Sequence, residues 1–241
     1  MDVEMRRIVV LLLRMFLKVP YYLFCIGRCG KREDISLEES YACVQRATRA
    51  ANKAGKVTIE AHGIENIPKE NGFIFFPNHQ GLFDMLVFLE SCPVPFAFVI
   101  KKEVSEVILL KQVIAALKSI PIDRSDIKQS MQVINQVTEE VKKGRNFLIF
   151  AEGTRSKMGN TLLPFKGGTF KSAMKAKCPI VPCALIDSFK PFDEKSLAPV
   201  TVKVVYLPPI YYEEYSTMKT PEIADMVKQR IESAIAEYEN K

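Results

Sequence analysis

The stretch NFLIFAEG, residues 146–153, is apolar at five consecutive positions before it breaks into Glu152 and Gly153. A strand with no polar side has no solvent face. Both faces must be covered, and the usual solution is a parallel sheet between two layers of helices. FIFFPN (73–78), PIVPCALI (179–186) and VTVKVVYL (200–207) repeat the signature. KVTIEAHG (56–63) instead alternates Val57, Ile59 and Ala61 with Thr58, Glu60 and His62, the pattern of a half-exposed strand. PFAFVI (95–100) reads as one more strand.

Helical periods separate these strands. Leu37 to Ala54 reads as a helix closed by Gly55, and the apolar run after Asp84 reads as another. From Ser125 to Lys143, the residues Ile127, Met131, Ile134, Val137 and Val141 keep the 3.6 spacing; Ser125 or Asp126 can cap the start and Gly144 ends it. A last helix has Thr220 as cap, Pro221 in its first turn, and Ile223, Val227, Ile231 and Ile235 as its stripe. Alternating strands and helices define an α/β class, with a mostly parallel central sheet flanked by helices. No repeat or linker divides residues 36–241, which read as one domain.

Residues 1–35 read separately, as basic amphipathic helices at a membrane interface. The run from Met5 to Arg32 carries too many cations for a conventional span of about 20 apolar residues. At helical spacing Arg7, Arg14 and Lys18 share one face, while Ile8, Leu12, Met15, Leu17 and Tyr22 occupy the rest. Pro20 is expected to kink or end the first helix. A wide apolar face, a narrow basic stripe and flanking Arg6, Arg28, Lys31 and Arg32 describe a helix lying on an anionic leaflet. Packing of that helix on its own domain is the other reading.

Composition removes several function classes. With 48% hydrophobic and 26% charged residues the chain is globular. A net charge of +6 suits an anionic surface or ligand without choosing one. The basic residues are spread out, no Trp is present and no recognition motif occurs, so nucleic-acid binding is not expected. The six cysteines are scattered, with no CxxC pair, and read as reduced thiols packed as small hydrophobes. Two histidines without paired cysteines make no zinc site, and Walker, dinucleotide and GxSxG patterns are absent. No metal or cofactor is implied.

Three loops at strand ends carry the polar chemistry. In FFPNHQGLFD, His79 precedes Asp84 by five residues, about 140° apart on an ideal helix. The two meet only if His79 lies in a loop and Asp84 in the first turn of the next helix. Asp84 would then fix the imidazole tautomer, leaving the other nitrogen to accept a proton; a structural histidine at a strand end is the alternative. His62, without an acid nearby, reads as structural. In FAEGTRS, Gly153 permits close backbone approach to an anion, Thr154 adds a hydroxyl and Arg155 a planar fork. Glu152 is expected to orient Arg155 or another cation. Arg124, in SIPIDRSD, could converge on the same anion, although a helix-capping turn also explains Asp123 and Ser125. Lys166, ahead of Gly167 and Gly168 at a helix entry, is likewise able to face phosphate.

These blocks together resemble the glycerolipid acyltransferase family, with the bacterial lysophosphatidate acyltransferases its most similar branch. NHxxxxD stands as Asn78, His79 and Asp84; EGTR as Glu152, Gly153, Thr154 and Arg155. The Ile-Asp-Arg block stands as Ile122, Asp123 and Arg124, and the late Val-Pro block as Val181 and Pro182. The resemblance spans residues 57 to 210. It implies that His79 is a general base oriented by Asp84, and that Glu152 to Arg155, with Arg124, shape a glycerol-phosphate site. It further implies direct transfer of an acyl chain, without an acyl-enzyme, from acyl-CoA or acyl-carrier protein to the sn-2 hydroxyl of lysophosphatidate; the alternatives are acylation of another lysolipid and a non-catalytic module that binds anionic lipid. A membrane-facing helical pair at the amino terminus, on the cytoplasmic face, completes the expectation.

Overall fold

The structure, a computed structural model, describes residues 6–239; positions 1–5 of the amino-terminal segment and 240–241 of the domain lie outside the described residues. Seven strands form one sheet: β1 (Val57–His62), β2 (Ile74–Pro77), β3 (Ala97–Lys101), β4 (Ile120–Ile122), β5 (Phe147–Leu148), β6 (Ile180–Ile186) and β7 (Val200–Tyr206), in the order β1-β7-β6-β2-β5-β3-β4. Every neighbouring pair is parallel except β6 with β7. The helices are α1 (Arg6–Arg14), α2 (Val19–Lys31), α3 (Leu37–Ala54), α4 (Asp84–Ser91), α5 (Ile108–Ala116), α6 (Ile127–Lys142), α7 (Lys171–Ala176), α8 (Lys190–Asp193), α9 (Tyr212–Tyr215) and α10 (Thr220–Glu239).

The unbroken apolar runs become two cores. Phe73 and Phe75 enter one core with α2, α3, α4 and α5; their neighbours Ile74 and Phe76 enter another with α6, α7 and α10. All four are fully buried. At about 1.5–3 kcal/mol per large apolar side chain, both faces contribute, and neither leaves room for an unpaired polar group.

Local signals set most helix ends. A capping box starts α3, with the Ser36 hydroxyl accepting from the Glu39 N–H and the Glu39 carboxylate from the Ser36 N–H. Asp126 caps α6, accepting from the Gln129 N–H at 3.0 Å. At α10 the carboxylate of Glu222 accepts from the Lys219 N–H at 2.6 Å. Thr220 is therefore the first helical residue rather than the cap.

Four elements are not read from the sequence: α5, β4, α8 and α9. SIPIDRSD contains β4 as well as a turn, and α5 precedes it. The edge strand β4 pairs only with β3 and tolerates Pro121, which has no N–H to offer. Its outer edge is closed by Gln129, whose side chain donates to the Pro121 carbonyl and accepts from the Asp123 N–H.

The amino-terminal pair differs from expectation in two respects. The first helix stops at Arg14, before Pro20, which instead occupies the first turn of α2. The two helices are bent by 92°, and no single helix among the described residues is long and apolar enough to cross a membrane. Second, one cation of the basic stripe, Arg7, turns inward, while Arg14 and Lys18 stay exposed. Arg7, only 3% exposed, donates to the carbonyls of Gly55, Ser196 and Ala198, and Arg14 donates to that of Ala54. Carbonyls at the end of a helix lack partners within it and carry partial negative charge, so cations suit them. Leu13, Phe16, Leu17, Tyr21 and Phe24 are left exposed. Gly30 lets α2 lie against α5, since a Cβ there would come within 2.9 Å of the Ala115 Cβ.

Arg7→Ala should release α1 from the domain, since hydrogen bonds to a charged group contribute about 1.5–3 kcal/mol each. Hydrogen exchange should accelerate in residues 6–14 with α10 unchanged.

Candidate active site

The polar chemistry sits where β2, β4, β5 and β6 end. Along β2 and β6 the parallel ladder runs from Ile74 opposite Ile180 to Pro77 opposite Cys183. Asn78 then substitutes its side chain for a peptide: its Oδ1 accepts from the Leu185 N–H at 2.7 Å and its Nδ2 donates to the Leu185 carbonyl at 3.0 Å. The main chain is thus free to turn out of the sheet at His79 while the buried edge of β6 stays satisfied.

His79 lies in that loop and Asp84 opens α4, so the two meet as the spacing required. Nδ1 of His79 is 2.7 Å from Oδ2 of Asp84. The carboxylate is fully buried and also accepts from the N–H groups of Gln80 and Gly81 and from the Ser188 hydroxyl. Three further donors and a helix amino terminus hold it as an acceptor. An acceptor carboxylate against Nδ1 selects the Nδ1–H tautomer and leaves Nε2 with a lone pair. The ring stacks on Phe150, centroids 4.0 Å apart and planes 19° apart, and remains 19% exposed.

Glu152 has backbone partners that its place in the sequence does not indicate. Its oxygens accept from the backbone N–H groups of His79, at 2.6 Å, and Leu163, at 2.9 Å. Burial pushes its carboxyl above the ordinary carboxylate range, and the two amide donors pull it back. It locks the loop after β5 to the loop after β2, and the Ser156 N–H adds a 2.8 Å bond to the His79 carbonyl.

Gly153 is the meeting point of three residues singled out in the sequence. Its φ of +73° needs the conformational freedom of glycine, and a Cβ there would come within 2.9 Å of Lys166 Nζ. Arg124 donates to its carbonyl. Thr154 is exposed beside it and Arg155 half-buried. Asp123 accepts from Ser125, making the expected turn, while Arg124 departs from that turn toward Gly153. Beneath Arg124, Gly153 and Lys166 opens a cavity of about 260 Å³, walled by Val99, Ile122, Val133, Ile134, Val137 and Ile149. His62 is not part of this group; its ring packs against Tyr238.

In the sequence Asn78 belongs to the NHxxxxD block and suits, with Gln80 and Gly81, a turn; Phe150 and Ser188 carry no assigned role there. Ser188 stands two residues past a buried strand, the position that drew attention to Glu152. That position was the available signal.

The mostly parallel α/β sheet thus brings a buried-carboxylate–histidine pair, able to accept a proton at Nε2, beside a cation-edged apolar cavity. The profile of the acyltransferase family matches residues 58–186, and the chain belongs to that family. It is 32% identical over 176 residues to a 1-acyl-sn-glycerol-3-phosphate acyltransferase of Cocos nucifera, covering 71% of this chain and 55% of that protein. Over 169 residues it is 31% identical to the Salmonella typhimurium protein of the same name, covering 70% of this chain and 69% of that one. The chain thus spans little more than half the length of the Cocos relative, and the match to a Limnanthes alba relative covers 61% of that protein. Its fold matches the crystal structure of the 1-acyl-sn-glycerophosphate acyltransferase PlsC from Thermotoga maritima with a TM-score of 0.81 at 22% identity, covering 99% of this chain and 98% of that one.

Replacing Glu152 with Ala should leave two partly buried amides unpaired, at up to about 1–3 kcal/mol each. Denaturant unfolding should report that loss.

Proposed function

We propose that this protein transfers an acyl chain from an acyl thioester, acyl-CoA or acyl-carrier protein, to the sn-2 hydroxyl of lysophosphatidate, forming phosphatidate for phospholipid synthesis. The observation that carries this reading is the 2.7 Å bond between His79 Nδ1 and the buried Asp84 carboxylate, which leaves Nε2 as the acceptor. Family membership and the names of the relatives support the same reaction.

The acceptor oxygen attacks the thioester carbonyl as its proton passes to Nε2 of His79. The carbon–sulfur bond then breaks, and the imidazolium returns the proton to the departing sulfur. Asp84 holds the tautomer and balances the transient charge. A thioester is already activated, so positioning together with general-base catalysis supplies the remaining acceleration. Arg155, Arg124 and Lys166 are the charge partners of the acceptor phosphate. Gly153 and Thr154 leave room for it, and Glu152 fixes the loop that carries them. The cavity walls suit hydrocarbon.

Substrate and product lipids live in a bilayer and thioester donors in the cytosol. The working location is therefore the cytoplasmic face of a membrane, with the exposed apolar side chains of α1 and α2 in one leaflet. Leu17, 85% exposed, and Phe16, 72% exposed, support that contact.

Thioester consumption in lipid micelles tests the assignment. His79→Ala should lower acceptor-dependent thiol release by about 10²–10⁴-fold with an unchanged circular dichroism spectrum; full activity in that variant would sink the reading. Arg155→Ala should raise KM for lysophosphatidate far more than KM for the thioester, and equal effects would remove Arg155 from the phosphate site.

A further inference from the structure

The loop that carries Asp84 does not by itself fill the carboxylate. Oδ2 takes His79 Nδ1–H and the Gln80 N–H, while the Gly81 N–H lies 3.1 Å from both oxygens. The other donor to Oδ1 comes from across the sheet. It is the hydroxyl of Ser188, fully buried, two residues past β6 and separated from Asp84 by 104 positions in the chain.

Ser188 Oγ also lies 2.9 Å from Gln80 Oε1, but a hydroxyl has one proton to give. Gln80 Oε1 already accepts the Ser188 N–H at 2.8 Å. The amide of Gln80 is fixed in that orientation because its Nε2 donates to the Leu185 carbonyl and to Asn160 Oδ1. Between a neutral amide oxygen and a carboxylate, the carboxylate is the stronger acceptor. The Ser188 proton therefore points at Asp84.

The backbone is bent to make this contact. Asp187, between β6 and Ser188, has φ +63°, a left-handed conformation that is uncommon for a residue with a side chain. Its surroundings hold it there. The Asp187 N–H donates to Asn160 Oδ1 at 2.9 Å, and its carboxylate accepts from Asn160 Nδ2 at 3.2 Å and Lys190 Nζ at 2.8 Å. Such outliers persist where the surrounding structure over-determines them, and they cluster at functional sites. Here the bend turns both the N–H and the hydroxyl of Ser188 into the His79 loop.

We infer that Ser188 is a positioning residue for the base: by holding Oδ1 of Asp84 from the end of β6, it keeps Oδ2 aimed at Nδ1 of His79. Without it, Oδ1 keeps only the shared 3.1 Å contact with Gly81, and the carboxylate is free to rotate away from the imidazole. The inference rests on the proposed role of His79 for its kinetic consequence, but not for its structural one.

The test combines kinetics with NMR of the histidines, of which the chain has only two. Ser188→Ala should lower kcat by about 10–100-fold, the scale of a small misplacement of a reacting group, with KM for both substrates unchanged. In the same variant the hydrogen-bonded Nδ1–H resonance of His79 should broaden or move upfield, while the His62 signals stay in place. Ser188→Thr, which keeps the hydroxyl, should recover both the resonance and the rate. Ser188→Cys, nearly the same size with a weak donor, should fall between them, and it serves as the reading if the alanine variant does not fold. Wild-type kcat in the alanine variant, or a lost kcat with an unmoved His79 resonance, would overturn the inference. If the wild type consumes no thioester, the proposed reaction fails, and the resonance alone still decides whether Ser188 holds the pair.

Discussion

The buried carboxylate of Asp84 is the constraint to which the loops at the strand ends answer. An ionised carboxylate removed from water and left unpaired costs several kcal/mol, so every donor near it must be in place. Residues 79–81 supply their donors by wrapping round the start of α4, and β6 supplies the hydroxyl. Glu152, also buried, repeats the arrangement on the other side of His79 with two backbone amides. His79 is consequently held at four points: its N–H by Glu152, its carbonyl by the Ser156 N–H, its ring nitrogen by Asp84 and its ring face by Phe150. A side chain fixed in this way loses little freedom on meeting a substrate, which is what the proposed role of His79 as base needs.

The location of the site follows from the sheet. Because β2, β5 and β6 are apolar toward both layers, a polar side chain can be accommodated only where these strands stop. The strands do not stop together. Asn78 extends the pairing of β2 with β6 by one side chain, while β5 ends in the run to Glu152. This stagger brings the loops after β2 and β5 into bonding contact, and it places Gly153 between Arg124 and Lys166.

What the sequence made legible was what depends on neighbours in the chain. The Asp126 cap, the apolar strands and the meeting of His79 with Asp84 all lie within a few residues. The backbone partners of Glu152, His79 and Leu163, stay hidden because they are 73 and 11 positions away and are amides, which no side-chain pattern records. Asn78 with Leu185, at 107 positions, and Ser188 with Asp84 belong to the same class. Strand β4 was hidden for another reason. Three residues with a central proline carry almost no period, and only pairing with β3 makes them a strand. Tertiary context overrode local propensity there.

The amino-terminal pair shows the same limit in its electrostatics. Spacing alone could place Arg7, Arg14 and Lys18 on one face, but could not say which way that face turned. Two of the three cations are used on carbonyls of the domain, where Arg7 reaches three acceptors at once. The outward surface of the elbow combines Leu13, Phe16, Leu17, Tyr21 and Phe24 with the exposed cations Arg6, Arg14, Lys18, Arg28 and Lys31. For the proposed leaflet contact, two forces therefore act together. Attachment through a basic stripe weakens as salt screens it, whereas attachment through buried apolar area, about 25 cal/mol per Å², does not depend on the charge of the headgroups. The arginines then act as the hinge pins of the contact. They hold α1 rigidly on the end of α3, so that whatever the exposed side chains enter also fixes the orientation of the domain behind them.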